Sequence, residues 1–118
     1  MDIFCKIING EIPSKTIYED DIVKVILDVN PKSCGHMLII PKKHYLDIFD
    51  IDDDVLNHVM VIARKIGNLL KERLNCDGIT YEENNGIPQL VKHFHLHIIP
   101  VYKESNDLSI DEIYKILK

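Results

Sequence analysis

One stretch of this chain leaves little choice of conformation. Between Asp53 and Leu74, the residues Val55, Val59, Ile62, Ile66 and Leu69 recur at steps of four and three, with Leu56, Ala63 and Leu70 flanking the same stripe. That spacing gathers side chains on one side of an α-helix. Asp52, Asp53 and Asp54 stand at its start and Lys71 and Arg73 near its end, each where the helix dipole favours that charge. A helix with a single apolar stripe must bury it against another layer, and the rest of the chain offers mainly short strand-like runs. Lys15 to Glu19 and Ile22 to Leu27 flank Asp20-Asp21 as a hairpin. His36 to Ile40 is an apolar run closed by Pro41, Gly78 to Glu83 a further strand, Asn84-Asn85-Gly86 a turn, and Val91 to Val101 a long strand. Ile3 to Asn9 forms a short helix stopping at Gly10, and Ile110, Ile113, Ile116 and Leu117 step as a terminal helix. The expected fold is α+β: an antiparallel five-stranded sheet with one long helix and short terminal helices, in a single domain over residues 1–118.

Charge and hydropathy narrow the function. A net charge of -5 argues against a broad nucleic-acid surface, which needs clustered Lys and Arg. No apolar run approaches the ~20 residues that span a bilayer, and the first residues lack the pattern of a secretory signal. The three cysteines, Cys5, Cys34 and Cys76, make no C-x-x-C pair and suit a reducing compartment. A cytoplasmic protein with no membrane or nucleic-acid partner is expected. Lys42-Lys43 reads as a solvated turn, and His58, one turn after Asp54, as a surface pair.

The chemistry is concentrated between Lys92 and Pro100, in the run Lys-His-Phe-His-Leu-His-Ile-Ile-Pro. Side chains alternate faces along a strand, so His93, His95 and His97 share one face while Phe94, Leu96 and Ile98 share the other. Three readings are open. A metal is one, although the strand rise puts His93 and His97 roughly 13 Å apart, too far for one ion to take all three. A packed polar strand face is another. The third is nucleophilic or acid–base work, since imidazole with its pKa near 6.5 is a nucleophile when neutral and an acid when protonated. Three imidazoles on one face titrate as a coupled set.

These residues resemble the histidine-triad family, and most closely its Hint-like branch. The resemblance runs from Ile3 to Pro100 and rests on the His93 to Pro100 run. Ile3-Phe4-Cys5-Lys6-Ile7-Ile8, Glu11-Ile12-Pro13, Tyr18-Glu19-Asp20-Asp21, Gly35 to His44 and Asn84-Asn85-Gly86 support it in family order. It implies a homodimer that binds purine nucleoside monophosphates and hydrolyses their phosphoramidates through a nucleotidyl-histidine. Dinucleoside polyphosphate hydrolysis, and nucleotide binding with little catalysis, are the alternatives. On that resemblance His95 is the nucleophile, His97 contacts the phosphate and leaving group, and His93 and His36 orient and polarise the site. Gln89 matches a phosphate-side glutamine, Asp28 holds ribose hydroxyls with Val29 beside it, and Asn84 fixes the sugar-phosphate. Ile3, Phe4, Ile7, Ile26 and Leu27 match positions that line the base pocket.

Two departures stand out. Gly86-Ile87-Pro88-Gln89-Leu90 is shorter than the family's small-residue stretch. Pro88 there offers no N–H, and Leu90 stands in place of a hydroxyl. The resemblance also implies that catalysis requires no cofactor and that a structural zinc is possible: Cys5, His44 and His93 match three of four ligands, with Asp2 where the fourth would be a cysteine.

Overall fold

The computed structural model describes residues 2–118. The elements follow the chain as α1 (Ile3–Ile8), β1 (Thr16–Glu19), β2 (Val23–Leu27), β3 (Met37–Pro41), α2 (Asp53–Leu74), β4 (Gly78–Glu82), β5 (Leu96–Val101) and α3 (Ile110–Leu117). The five strands form one sheet in the order β1-β2-β3-β5-β4, every pairing antiparallel. The expected α+β architecture is therefore what the chain adopts.

Strand alternation divides the sheet into two unlike faces. Val23, Val25 and Leu27 of β2, Met37 and Ile39 of β3, and Leu96 and Ile98 of β5 join one large buried cluster with Val59, Ile62, Ile66 and Leu70 of α2 and Ile113 and Leu117 of α3. The registers Val25↔Ile39, Leu27↔Met37 and Ile39↔Leu96 place these residues side by side. The opposite face carries a smaller cluster, in which Ile26, Leu38 and Ile40 meet Phe4 and Ile7 of α1. His97 pairs with Leu38 and with Glu82, so it lies on this second face, which the long helix does not cover.

Local chemistry explains the element ends. Asn75 closes α2 in the left-handed conformation at φ 54°, which asparagine tolerates. Ser109 and Glu112 cap α3 reciprocally. In the β1–β2 hairpin, Asp20 Oδ1 accepts from the N–H groups of Ile22 and Val23, each at 2.8 Å. Its Oδ2 takes the Tyr18 hydroxyl at 2.7 Å and lies 2.7 Å from His58 Nε2. His58 therefore pairs with Asp20 across the fold rather than with Asp54. Lys42 pairs with Glu19 at 2.8 Å. No helix of the described residues is long and apolar enough to cross a membrane.

One expected element is corrected. The strand read over Val91 to Val101 begins only at Leu96. The His93 N–H turns back to the Val91 carbonyl at 2.9 Å, and the Phe94 N–H goes to the Tyr45 carbonyl at 2.7 Å. These donors are thus spent outside the ladder. Phe94 still enters the large cluster while the His93 and His95 rings meet Phe4 of the smaller one, so side-chain alternation survives without strand pairing. The turn expected at Asn84-Asn85-Gly86 falls later: Gly86 takes φ +71° and its carbonyl receives the Gln89 N–H at 3.0 Å.

Candidate active site

Four histidines reach the second face from three places: His36 just before β3, His93 and His95 from the segment leading into β5, and His97 within it. His36 and Asp28 flank the β2–β3 connection, and the Asp28 N–H bonds the His36 carbonyl at 2.9 Å. The rings of His95 and His97 lie 4.9 Å apart and those of His36 and His97 5.2 Å apart. Phe4 of α1 packs edge-on against His95 at 4.8 Å. His93 is fully enclosed, whereas His95 keeps 7% of its surface open.

Hydrogen-bond partners settle which nitrogen of each ring carries the proton. A backbone carbonyl can only accept. The His93 carbonyl lies 2.8 Å from His95 Nδ1, so Nδ1 donates and His95 Nε2 presents a free lone pair. A second chain of bonds starts at the Lys32 N–H, which donates to His36 Nδ1 at 3.0 Å. His36 therefore carries its proton on Nε2, 3.0 Å from His97 Nδ1 and 3.5 Å from Asp28 Oδ2. His97 accepts at Nδ1 and keeps Nε2–H as its donor. Nucleophilic lone pair and hydrogen-bond donor thus sit on adjacent rings.

Burial keeps the set uncharged. Desolvation is the main cause that lowers His97, aided by the neighbouring His95 and His36, down to about 4. Desolvation also lowers His95 and His36 below the ordinary imidazole range, against smaller opposing effects that include Asp28. These shifts favour the neutral rings near neutral pH, the form in which an imidazole can act as a nucleophile.

A separate cluster gathers Asp2, Cys5, His44 and His93. All six of its donor–donor separations are short. Asp2 Oδ2 is 3.5 Å from Cys5 Sγ, 3.1 Å from His44 Nδ1 and 3.3 Å from His93 Nδ1. Cys5 Sγ is 3.8 Å from His44 Nδ1 and 3.5 Å from His93 Nδ1, and the two imidazole nitrogens are 3.3 Å apart. Four-coordinate zinc with bonds of 2.0–2.3 Å sets tetrahedral edges of about 3.3–3.6 Å, and all six separations lie within about 0.2 Å of that range, so these donors fit such an ion with a small adjustment of His44. His93 Nε2–H is committed to the Pro41 carbonyl at 2.9 Å, leaving Nδ1 to face the cluster, the usual outer support of a ligating imidazole. Burial and the Asp2 carboxylate push the Cys5 thiol up.

The fold that carries these histidines is shared with known proteins. The HIT domain family model matches residues 9–104. The chain belongs to the histidine-triad family. A relative from Methanocaldococcus jannaschii, known as an uncharacterized HIT-like protein, is 43% identical over 100% of this chain and 99% of its own. The adenosine 5′-monophosphoramidase HNT1 of Candida albicans is 39% identical over 92% of this chain and 75% of its own. Among solved structures, a Zn-bound histidine triad family protein from Mycobacterium smegmatis superposes with a TM-score of 0.90 at 32% identity, covering 98% of this chain and 88% of its own.

The other residues expected from the histidine-triad pattern are spread around this centre. Phe4, Ile7 and Ile26 form one apolar cluster beside His95, and Ile3 is half exposed. Leu27 departs from the expectation. Alternation along β2 turns it into the large core on the opposite face from Ile26, which removes it from their pocket. Val29 is exposed. Asp28 Oδ1 accepts the Asn30 N–H at 2.8 Å. Asn84 donates to Glu82 at 3.2 Å, and Gln89 donates its amide to the Leu46 carbonyl at 2.7 Å. Glu82 was not singled out from the sequence. It stands opposite His97 across the β4–β5 ladder and also pairs with Lys32 at 3.5 Å, a placement set by strand register.

Proposed function

We propose that this chain hydrolyses purine nucleoside 5′-phosphoramidates through a covalent nucleotide on His95. The observation that carries the reading is the proton arrangement: a free Nε2 lone pair on His95 beside a donor Nε2–H on His97. The named activity of the Candida relative points the same way.

In the first step His95 Nε2 bonds phosphorus while the P–N bond to the leaving amine breaks. A phosphate anion bound against His97 favours its protonated form, and the amine leaves with that proton. Water then attacks the phosphoramidate on His95, giving its proton to His97 and releasing the nucleotide. The His93 carbonyl, hydrogen-bonded to His95 Nδ1–H, holds the ring in orientation and steadies the positive charge it gains. Phe4, Ile7 and Ile26 supply an apolar wall for a base, and Asp28 a carboxylate for ribose hydroxyls. Asp2, Cys5, His44 and His93 would hold a cation, which would supply structural support near His95 and take no part in the chemistry.

A binding module with little turnover is the second reading. It is favoured by Leu90, which stands exposed where a hydroxyl is expected, and by the Gln89 amide, already engaged by Leu46. Acid-quenched mass spectrometry after mixing with adenosine 5′-monophosphoramidate separates the two. The expected result is one nucleotide on the peptide containing His95, lost together with turnover in His95→Ala. Binding of AMP with neither adduct nor turnover establishes the second reading instead.

A further inference from the structure

Helix α1 is held by very little of its own. It has six residues, far fewer than a helix needs to persist alone, and buries only Phe4 and Ile7. Yet it supplies the Phe4 ring that packs on His95, and Phe4 also meets His93 edge-on at 6.0 Å. Its N-cap and first turn carry two members of the four-donor cluster, Asp2 and Cys5. The other two, His44 and His93, come from the chain after β3 and before β5.

Asp2 divides its carboxylate between two tasks. Oδ1 caps α1 by accepting the Cys5 N–H at 2.8 Å, while Oδ2 faces Cys5 Sγ, His44 and His93. Any ion bound to Oδ2, Cys5 Sγ and the two imidazoles therefore ties the start of α1 to the segment that ends in the nucleophile. His93 closes the circuit: its Nδ1 faces the cluster and its backbone carbonyl holds His95 Nδ1.

We propose that a divalent cation at Asp2, Cys5, His44 and His93 acts as a reversible clasp that holds α1, and with it Phe4, against His95. Its occupancy then governs how well the pocket takes a nucleotide, a consequence that rests on the function proposed above. A carboxylate in place of a second thiolate makes the donor set harder and less selective for zinc. The clasp is accordingly more easily opened than one with two sulfurs.

The test compares chelator-treated protein with protein loaded with Zn²⁺, and with Co²⁺ as a spectroscopic substitute. Expected results are one metal per chain by elemental analysis, a tetrahedral Co²⁺ spectrum with a thiolate charge-transfer band, and amide exchange over residues 3–8 slowed on loading. AMP should bind about tenfold more tightly to the loaded form, within the range usual for coupled sites. Asp2→Asn keeps a good helix cap but removes the anionic ligand. His44→Gln weakens the site while leaving every residue of α1 and its cap unchanged. Both should bind metal weakly and show the metal-free exchange of α1 at Zn²⁺ concentrations that load the wild type. Loading that leaves exchange in α1 unchanged overturns the proposal, as does failure to take up one metal per chain. If loading slows exchange in α1 while AMP binds neither form, the clasp stands and the nucleotide reading falls.

Discussion

The neutral state of His97 has a cost that acid should reveal. Its pKa falls from an ordinary 6.5 in the unfolded chain to about 4 in the folded one. Between those values the unfolded chain binds the extra proton, so stability rises with pH across that window and is lost as pH falls through it. Going from pH 7.5 to pH 5, this one residue should remove about 2 kcal/mol, an upper figure because His97 retains some solvent contact. Urea unfolding at the two pH values, with chelator present so that metal release does not contribute, measures the total loss. His97→Gln removes the His97 share while leaving His95 and His36, which shift in the same direction. The variant should therefore lose about 1–2 kcal/mol less than wild type over the same range. An equal loss in both proteins refutes the reasoning, as does an NMR titration showing the His97 ring protonating near 6.5.

Two further substitutions test separate parts of the argument. Gly35 adopts φ +89°, and a Cβ there would lie 2.7 Å from Leu74 Cδ1 and 3.1 Å from Leu70 Cδ2; Gly35→Ala should cost about 2–4 kcal/mol in urea unfolding, and a change below about 0.5 kcal/mol would show that this turn relaxes freely. Leu90 is 91% exposed, so Leu90→Ser should leave stability within about 0.5 kcal/mol while raising kcat on adenosine 5′-monophosphoramidate up to about 10²-fold by restoring a hydroxyl donor; an unchanged kcat means position 90 does not meet the leaving group.

Much of the fold was legible because its signals are periodic. The apolar stripe of α2 and the charges at its two ends marked that helix, and alternation from His93 to Ile98 sorted side chains correctly between two faces. The same alternation misled over residues 91–95. Period two records which way side chains point, not whether the backbone is paired, and here the Phe94 N–H goes to Tyr45 instead of a neighbouring strand. Leu27 shows the converse error. The resemblance offered it for the base pocket, whereas its spacing from Val23 and Val25 along β2 carries it into the core. What stayed hidden depends on register and long-range closure. Glu82 faces His97 only because β4 and β5 pair as they do. Asp2 was visible in the sequence as a substitution, but its split carboxylate, one oxygen capping a helix and the other turned to three donors, requires His44 and His93 to arrive from distant parts of the chain.

The unequal covering of the sheet has a consequence for how this molecule tolerates change. Nearly all the interlocking aliphatic volume lies on the side of α2 and α3, while the imidazoles share their side with six helical residues. Substitutions beneath the long helix should register as lost thermal endurance with kinetics intact in the survivors. Those beneath the short one disturb a smaller buried cluster, so they should lower the melting curve less and chiefly alter what the chain accepts and how quickly it lets go. Endurance and selectivity are thus weighted toward opposite sides of one ribbon of strands, and each can drift largely apart from the other.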